Sequence, residues 1–242
     1  MPPRAAARPS SLHDQLVDAL GTAICGERLT AGQVLSIDVI ASEHNVSRPV
    51  VREACRVLTA LGLVESRRRV GTVVLPADRW TAFDPRVIRW RLASDDRLAQ
   101  LAMLTELRAA VEPQAARLAA VRRPDDDATD LMVLAARLFA AGTAGREAEF
   151  LELDLAFHRL LLRASGNDMF AHLGDVVAEV LASRHHYGLF PERPAAEALQ
   201  WHVDVAQAIQ RGDHTTAYTA MIRIVDRSLA ESEALWARHH DR

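Results

Sequence analysis

Residues 45–56 read Asn45-Val46-Ser47-Arg48-Pro49-Val50-Val51-Arg52-Glu53-Ala54-Cys55-Arg56, and two patterns run through them at once. Ser47 suits a helix N-cap, and Pro49 falls in the first turn, where a missing N–H costs little. Val51, Ala54, Cys55, Leu58 and Leu61 recur at helical spacing and make an apolar stripe, which Gly62 brings to a stop. Arg48, Arg52 and Arg56 recur at i, i+4 and i+8, so they share a different face. Such a helix can rest on a core with one side and enter a DNA major groove with the other. There a guanidinium forks onto guanine O6 and N7 or clamps a phosphate.

The flanking sequence decides between that reading and an ordinary solvated face. Upstream, Leu12, Leu16, Leu20 and Ile24 make a helix behind the cap candidates Ser10 and Ser11; Gly26 and Gly32 interrupt, and a short helix runs through Val39, Ile40 and Ala41 to His44-Asn45. Downstream, two short strands, Leu63–Ser66 and Thr72–Leu75, flank Arg67-Arg68-Arg69-Val70-Gly71. Helix, helix–turn–helix and arginine-rich hairpin is the order of a winged helix-turn-helix. Double-stranded operator DNA is therefore the expected partner. Its expected contacts are Ser47, Arg48, Val50, Arg52 and Arg56 on the recognition helix, and Arg67, Arg68, Arg69 and Gly71 on the wing.

Composition narrows the rest of the chain. All 29 basic residues among the 242 are arginine, which excludes Schiff-base lysines and the phosphate-binding P-loop lysine. Residues 1–79 hold 10 Arg against 8 acids, whereas residues 80–242 hold 19 against 24 and carry eight of the ten histidines past residue 150. A basic binding module joined to an acidic sensing module fits that split. Cys25 and Cys55 form no metal-type cluster and read as small buried residues of a reducing compartment. No apolar run approaches the ~20 residues of a membrane helix. The opening MPPRAAARP lacks a signal peptide's apolar core, so the chain is expected to be cytoplasmic, with no membrane partner.

From Asp95 the pattern is helical almost to the end. Breakers at Pro124, Gly142/Gly145, Gly166-Asn167, Pro191/Pro194 and Gly212 give six or seven helices. The expected fold is mainly α: a tail at 1–9, a winged helix-turn-helix domain at 10–75, a packed linker at 76–94, an all-helical effector-binding and dimerisation bundle at 95–236, and a tail at 237–242. Polar residues stand where the stripes demand apolar ones. Arg108 falls in line with Leu101, Leu104, Val111, Ala115 and Leu118; Asp154 and His158 fall in line with Leu151, Leu155 and Leu162; His202 opens the stripe of Val205, Ala206 and Ile209. Buried charges must find partners, and convergent Asp, His and Arg from several helices is how bundles build metal or anion sites.

Gly26-Glu27-Arg28-Leu29, Gly32, Ile40-Ala41 leading into Asn45 to Ala54, Gly62-Leu63-Val64 and Gly71-Thr72-Val73-Val74 together resemble the GntR family of bacterial regulators. Leu107-Arg108 with Glu112, Asp154-x-x-Phe157-His158 running to Ser165-Gly166-Asn167, and His202 with Ala208-Ile209 and Gly212-Asp213 resemble the FCD ligand-binding domain of its FadR-type branch. That resemblance implies a homodimeric transcription regulator, a repressor on a palindromic operator, and a divalent cation such as zinc on Asp154, His158 and His202. Position 224, where the fourth ligand would stand, is Ile224. Two routes stay open: a three-ligand metal with free positions, or a metal-free pocket in which Arg108 and Arg227 clamp an anion. Asp84-Pro85-Arg86-Val87-Ile88-Arg89-Trp90 further resembles regulators of sugar-acid catabolism, which makes a sugar acid the leading effector among small organic acids. The alternatives are a metal-dependent hydrolase built on the Asp/His cluster and a DNA-binding protein without an effector.

Overall fold

A computed structural model of the protein describes residues 11–122, 125–191 and 194–240. The expected tail at 1–9, the cap candidate Ser10 and the breaker Pro124 lie outside the described residues. The chain divides into two units, Met1–Arg97 and Leu98–Arg242.

In the first unit, α1 (Leu12–Cys25) opens on a capping box: the Asp14 N–H donates to Ser11 Oγ at 3.1 Å, and the Ser11 N–H donates to the Asp14 carboxylate at 3.3 Å. Then come β1 (Val34–Leu35), α2 (Ile37–Glu43), α3 (Arg48–Ala60), β2 (Val64–Arg67) and β3 (Gly71–Val74). The strands form an antiparallel sheet in the order β1-β3-β2, with Val34 opposite Val73 and Arg67 opposite Gly71. The hairpin strands sit about one residue from where the pattern puts them, and β1 is an addition, because a two-residue strand shows no alternation to read. Leu16, Leu20 and Ile24 of α1 pack with Val51, Ala54 and Leu58 of α3 and with Leu63 and Val64. The apolar stripe read from the sequence is thus the buried face of α3.

Residues 76–94 join this same core. After a 3-10 turn, α4 (Pro85–Leu92) buries Val87 and Trp90 in it. The Trp90 indole N–H donates to Asp18 Oδ1 at 3.0 Å. Its ring lies flat on α1 because residue 21 is glycine; a Cβ there would stand 2.5 Å from the indole.

The second unit contains α5 (Arg97–Arg122, its first residue counted with the first unit), α6 (Asp125–Thr143), α7 (Glu147–Ala164), α8 (Asp168–His172), α9 (Gly174–His186), α10 (Ala196–Arg211) and α11 (His214–His240). No strand occurs among its described residues. Leu131 and Leu138 of α6, Phe157 and Leu161 of α7, Val205 and Ile209 of α10, and Met221 and Val225 of α11 form one core. Residues 237–240, expected as a tail, continue α11, since the Ala-Leu-Trp-Ala-Arg run holds good helix formers and no breaker.

Candidate functional site

Two surfaces carry the chemistry. On the first unit, Arg48, Arg52 and Arg56 all project from the exposed side of α3. Ser47 occupies the N-cap position without making a side-chain cap bond. Arg48 Nε lies 2.7 Å from Asp38 Oδ1 of α2, and Arg56 Nη1 donates to Glu53 Oε2 at 2.8 Å. Arg52 forms no ion pair with a described residue. Val50 is half-buried against the core. On the wing, Arg67 pairs with Glu65 at 2.6 Å, while Arg68 and Arg69 are exposed at the tip. Arg69 has φ +65° and Gly71 φ +115°, so the turn is tight and residue 71 is in a region that L side chains rarely adopt.

In the second unit, the polar residues expected to face inward do so. Arg108 and His158 are each 1% exposed, and Asp154 and His202 each 5%. They line one cavity of about 40 Å³ together with Ile224, Arg227 and Ser228 of α11. His158 Nε2 stands 3.5 Å from Asp154 Oδ1, and His202 Nε2 stands 3.3 Å from the same oxygen. The latter contact meets the distance for a hydrogen bond but not its alignment, and His202 Nε2 has no hydrogen-bond partner among the described residues. Each imidazole is anchored through its other nitrogen: His158 Nδ1 to Glu112 Oε2 at 2.6 Å, and His202 Nδ1 to the Ala198 carbonyl at 2.8 Å. Both anchors turn the Nε2 atoms toward Asp154.

Glu112, completely buried one turn beyond Arg108, holds the site together. It also accepts from Arg108 Nε at 2.7 Å. Arg108 Nη1 donates to Ser228 Oγ at 3.2 Å, and Nη2 has no hydrogen-bond partner among the described residues. Burial would raise the Glu112 carboxyl, but the Arg108 guanidinium and His158 outweigh it and hold the group at about 2. Burial would likewise lower His158; the facing charges of Glu112 and Asp154 reverse this and lift it to about 9. Asp154, between two imidazoles, sits well below the usual carboxylate range despite its burial.

Two charged cavity residues, Arg184 and Glu231, escaped the sequence reading. Arg184 of α9 is 4% exposed, and burial together with the Arg108 charge lowers it to about 10. Glu231 lies between Arg184 and Arg227, 3.6 Å from Arg184 Nη2 and 2.6 Å from Arg227 Nε. Glu112 entered only as a matching motif letter, although its i, i+4 spacing to Arg108 marks a pair on one helix face. The neighbouring His185 does not join Asp154, His158 and His202. It stacks on Phe190 at 4.0 Å, and burial lowers its pKa.

The donor geometry passes the test for a metal. One ligand atom from each of Asp154, His158 and His202 lies within 4.8 Å of the others. The two Asp–His separations match those between ligands about 2 Å from a shared tetrahedral ion, and both imidazoles carry the outer hydrogen bond that ligating histidines use. Ile224, buried in the same cavity, supplies no donor.

Residues 103–227 match the FCD domain family, and residues 12–74 match the bacterial regulatory proteins of the gntR family. An uncharacterized HTH-type transcriptional regulator of Escherichia coli, YieP, is 27% identical over 85% of this chain and 88% of its own. The galactonate operon transcriptional repressor of the same organism is 28% identical over 88% of this chain and 93% of its own. Among solved structures, that of Lar, which controls expression of the Listeria monocytogenes agr system, superposes with a TM-score of 0.60 at 18% identity, covering 95% of this chain and all of that one. At that identity the likeness establishes the fold.

Proposed function

Because the chain belongs to the GntR family of bacterial regulatory proteins, with an FCD domain behind its DNA-binding unit, we propose that it binds a palindromic operator as a homodimer, represses from it, and answers to a small carboxylate held at Arg108, a sugar acid being the leading class. That it is a transcription regulator and not an enzyme follows from its families and relatives. The hydrolase alternative is set aside on that ground.

One observation carries the effector reading: the buried Nη2 of Arg108, which has no hydrogen-bond partner among the described residues, in one cavity with the Nε2 of His202, which reaches only the Asp154 carboxylate at 3.3 Å without a well-aligned hydrogen bond. Such groups are costly unless a ligand satisfies them, which speaks against a regulator with no effector. Arg108 would accept the carboxylate, with Ser228 fixing the guanidinium and Glu112 balancing its charge. Asp154, His158 and His202 would hold a divalent cation, zinc being the best match to two imidazoles and a carboxylate. When bound, the cation supplies a Lewis-acidic point for an effector oxygen. Ile224 lines the same cavity and offers no ligand atom, so three protein ligands would leave coordination room for that oxygen.

A cavity of about 40 Å³ has space for an ion and a water or two. A six-carbon acid needs more, so Phe190 and the one-third-exposed Arg227 at its edge must move to admit one. Binding that favours the moved arrangement shifts the population of conformers, and through it the affinity for DNA. The likeness to the galactonate operon repressor supports a hydroxylated acid, whose hydroxyls suit Asp154 and the histidines.

Thermal unfolding of the full chain against sugar acids and simpler carboxylates, as purified, after chelation and with zinc restored, tests this. Stabilisation by an acid that disappears with the chelator and returns with zinc is expected. Stabilisation indifferent to the chelator would overturn the metal, and no stabilisation by any carboxylate would overturn the anion site.

A further inference from the structure

Three guanidiniums line the bundle cavity: Arg108 of α5, Arg184 of α9 and Arg227 of α11. Arg108 has the Glu112 carboxylate at 2.7 Å. Arg184 and Arg227 share a different one, that of Glu231. Arg227 Nε donates to it at 2.6 Å, which leaves Arg184 Nη2 3.6 Å away, longer than a hydrogen bond. Burial and the charge of Arg108 lower Arg184 to about 10. Two guanidiniums almost withdrawn from water thus stand close enough to oppose one another. An anion placed among them would relieve that opposition and take up charge-assisted hydrogen bonds.

The two glutamates differ in how firmly they are held. Glu112 is completely buried, fixed by Arg108 on one side and His158 on the other. The Glu231 side chain is 21% exposed, and its partner Arg227, one turn back on the same helix, is 36% exposed. A half-solvated pair at i, i+4 adds little stability, so Glu231 can turn out to water at small cost and Glu112 cannot. A carboxylate arriving on a ligand can then take the place of Glu231 and give Arg184 a nearer partner. Phe190 covers the same spot, its ring centroid 5.5 Å from the Arg184 guanidinium carbon. It is also one of the side chains that must move to admit a larger acid. Entry of a ligand and exchange of carboxylates therefore occur at the same edge of the cavity.

We infer that Arg184 and Arg227 form a second anion subsite, which Glu231 occupies until a ligand displaces it, and that the effector is a hydroxylated acid with a carboxylate at each end. This rests on the effector reading, in which Arg108 receives the first carboxylate, and it narrows the class. Isothermal titration calorimetry of the zinc-loaded 242-residue chain tests it with two pairs of acids, glycerate against tartronate and gluconate against glucarate. Within each pair a carboxylate replaces one CH2OH group and nothing else changes. In at least one pair the diacid is expected to bind at least about tenfold tighter, the worth of a hydrogen bond to a charged group. Arg184→Gln and Arg227→Gln should each bring that ratio to within about threefold of one, and Glu231→Gln, which removes the competing carboxylate, should raise it at least about threefold. The ratio compares two acids on one variant, so a general loosening of the bundle does not move it. Diacids no tighter than monoacids in both pairs would overturn the second subsite and leave the Arg108 reading standing. A preference for diacids that both arginine variants keep would come from the cation and would overturn it equally. A ratio lowered in Glu231→Gln would overturn the competing role of Glu231. Binding by none of the four acids would overturn the effector reading itself.

Discussion

Replacing Glu112 by glutamine preserves shape and removes one charge that two buried cations share. The carboxylate accepts from Arg108 at 2.7 Å and meets His158 at 2.6 Å, with all three side chains essentially withdrawn from water. Two routes give the magnitude. Its pKa is held at about 2 against an ordinary 4.5, and at about 1.4 kcal/mol per unit that difference is worth roughly 3 kcal/mol at neutral pH. Independently, removing one member of a buried ion pair costs about 3–5 kcal/mol, because the other charge stays buried. Urea unfolding of chelator-treated protein, followed by circular dichroism, should show Glu112→Gln destabilised by about 3–4 kcal/mol with an unchanged denaturant slope. The sign in pH is fixed by the same shifts. A depressed carboxyl contributes stability that is complete above about pH 4.5 and lost as pH falls toward 2. His158, raised from 6.5 to about 9, contributes stability that is complete below 6.5 and lost as pH rises through 9. Glu112→Gln should lose Glu112's share of the acid-side loss, leaving that of Asp154, and flatten the alkaline one. A variant within about 1 kcal/mol of wild type would mean that Glu112 is not what compensates Arg108.

On the DNA surface, Arg52→Ala should cost about 1–3 kcal/mol of discrimination at one operator position, whereas Arg68→Ala should weaken all duplexes alike and lower the salt slope by about 1; fluorescence anisotropy over a salt series separates them. Gly21→Ala sets a methyl 2.5 Å from the Trp90 ring. It should destabilise the first unit by about 1–3 kcal/mol, as overpacking does, with a change in tryptophan fluorescence; an unchanged melting curve would mean that α4 does not dock as described. His202→Ala should reduce zinc affinity beyond the about 10–100-fold that losing an outer-sphere partner costs. Chelator competition measures it, and wild-type affinity would place the metal elsewhere.

The bundle site was readable where a polar residue interrupts a helical stripe. Arg108, Asp154, His158 and His202 each broke a run of apolar residues at 3.6-residue spacing, and each is buried. Arg184 and Glu231 broke no such run. Arg184 sits in Leu181-Ala182-Ser183-Arg184-His185-His186, where the histidines draw the eye, yet it is Arg184 that reaches the cavity. Glu231 gains its place only through Arg227 and Arg184, and a contact between α9 and α11 leaves no trace in either helix's spacing. In the DNA-binding unit the arginine face of α3 was legible because sequence alone sets its period. The Arg48–Asp38 contact joins two helices and was not. Strand β1 shows the same limit: two residues hold no pattern until Val73 of β3 stands opposite.

Occupancy of the Arg108 cavity is expected to govern DNA binding by α3 and the wing. Selecting a duplex from random sequence with the 242-residue chain, then titrating the complex with the stabilising carboxylate in the presence of zinc, tests this. Wild type should release the duplex as the acid rises, while Arg108→Gln should bind the same duplex and fail to release it. Release of both proteins at the same acid concentration would contradict the account, because the carboxylate would then act without the guanidinium that is meant to receive it.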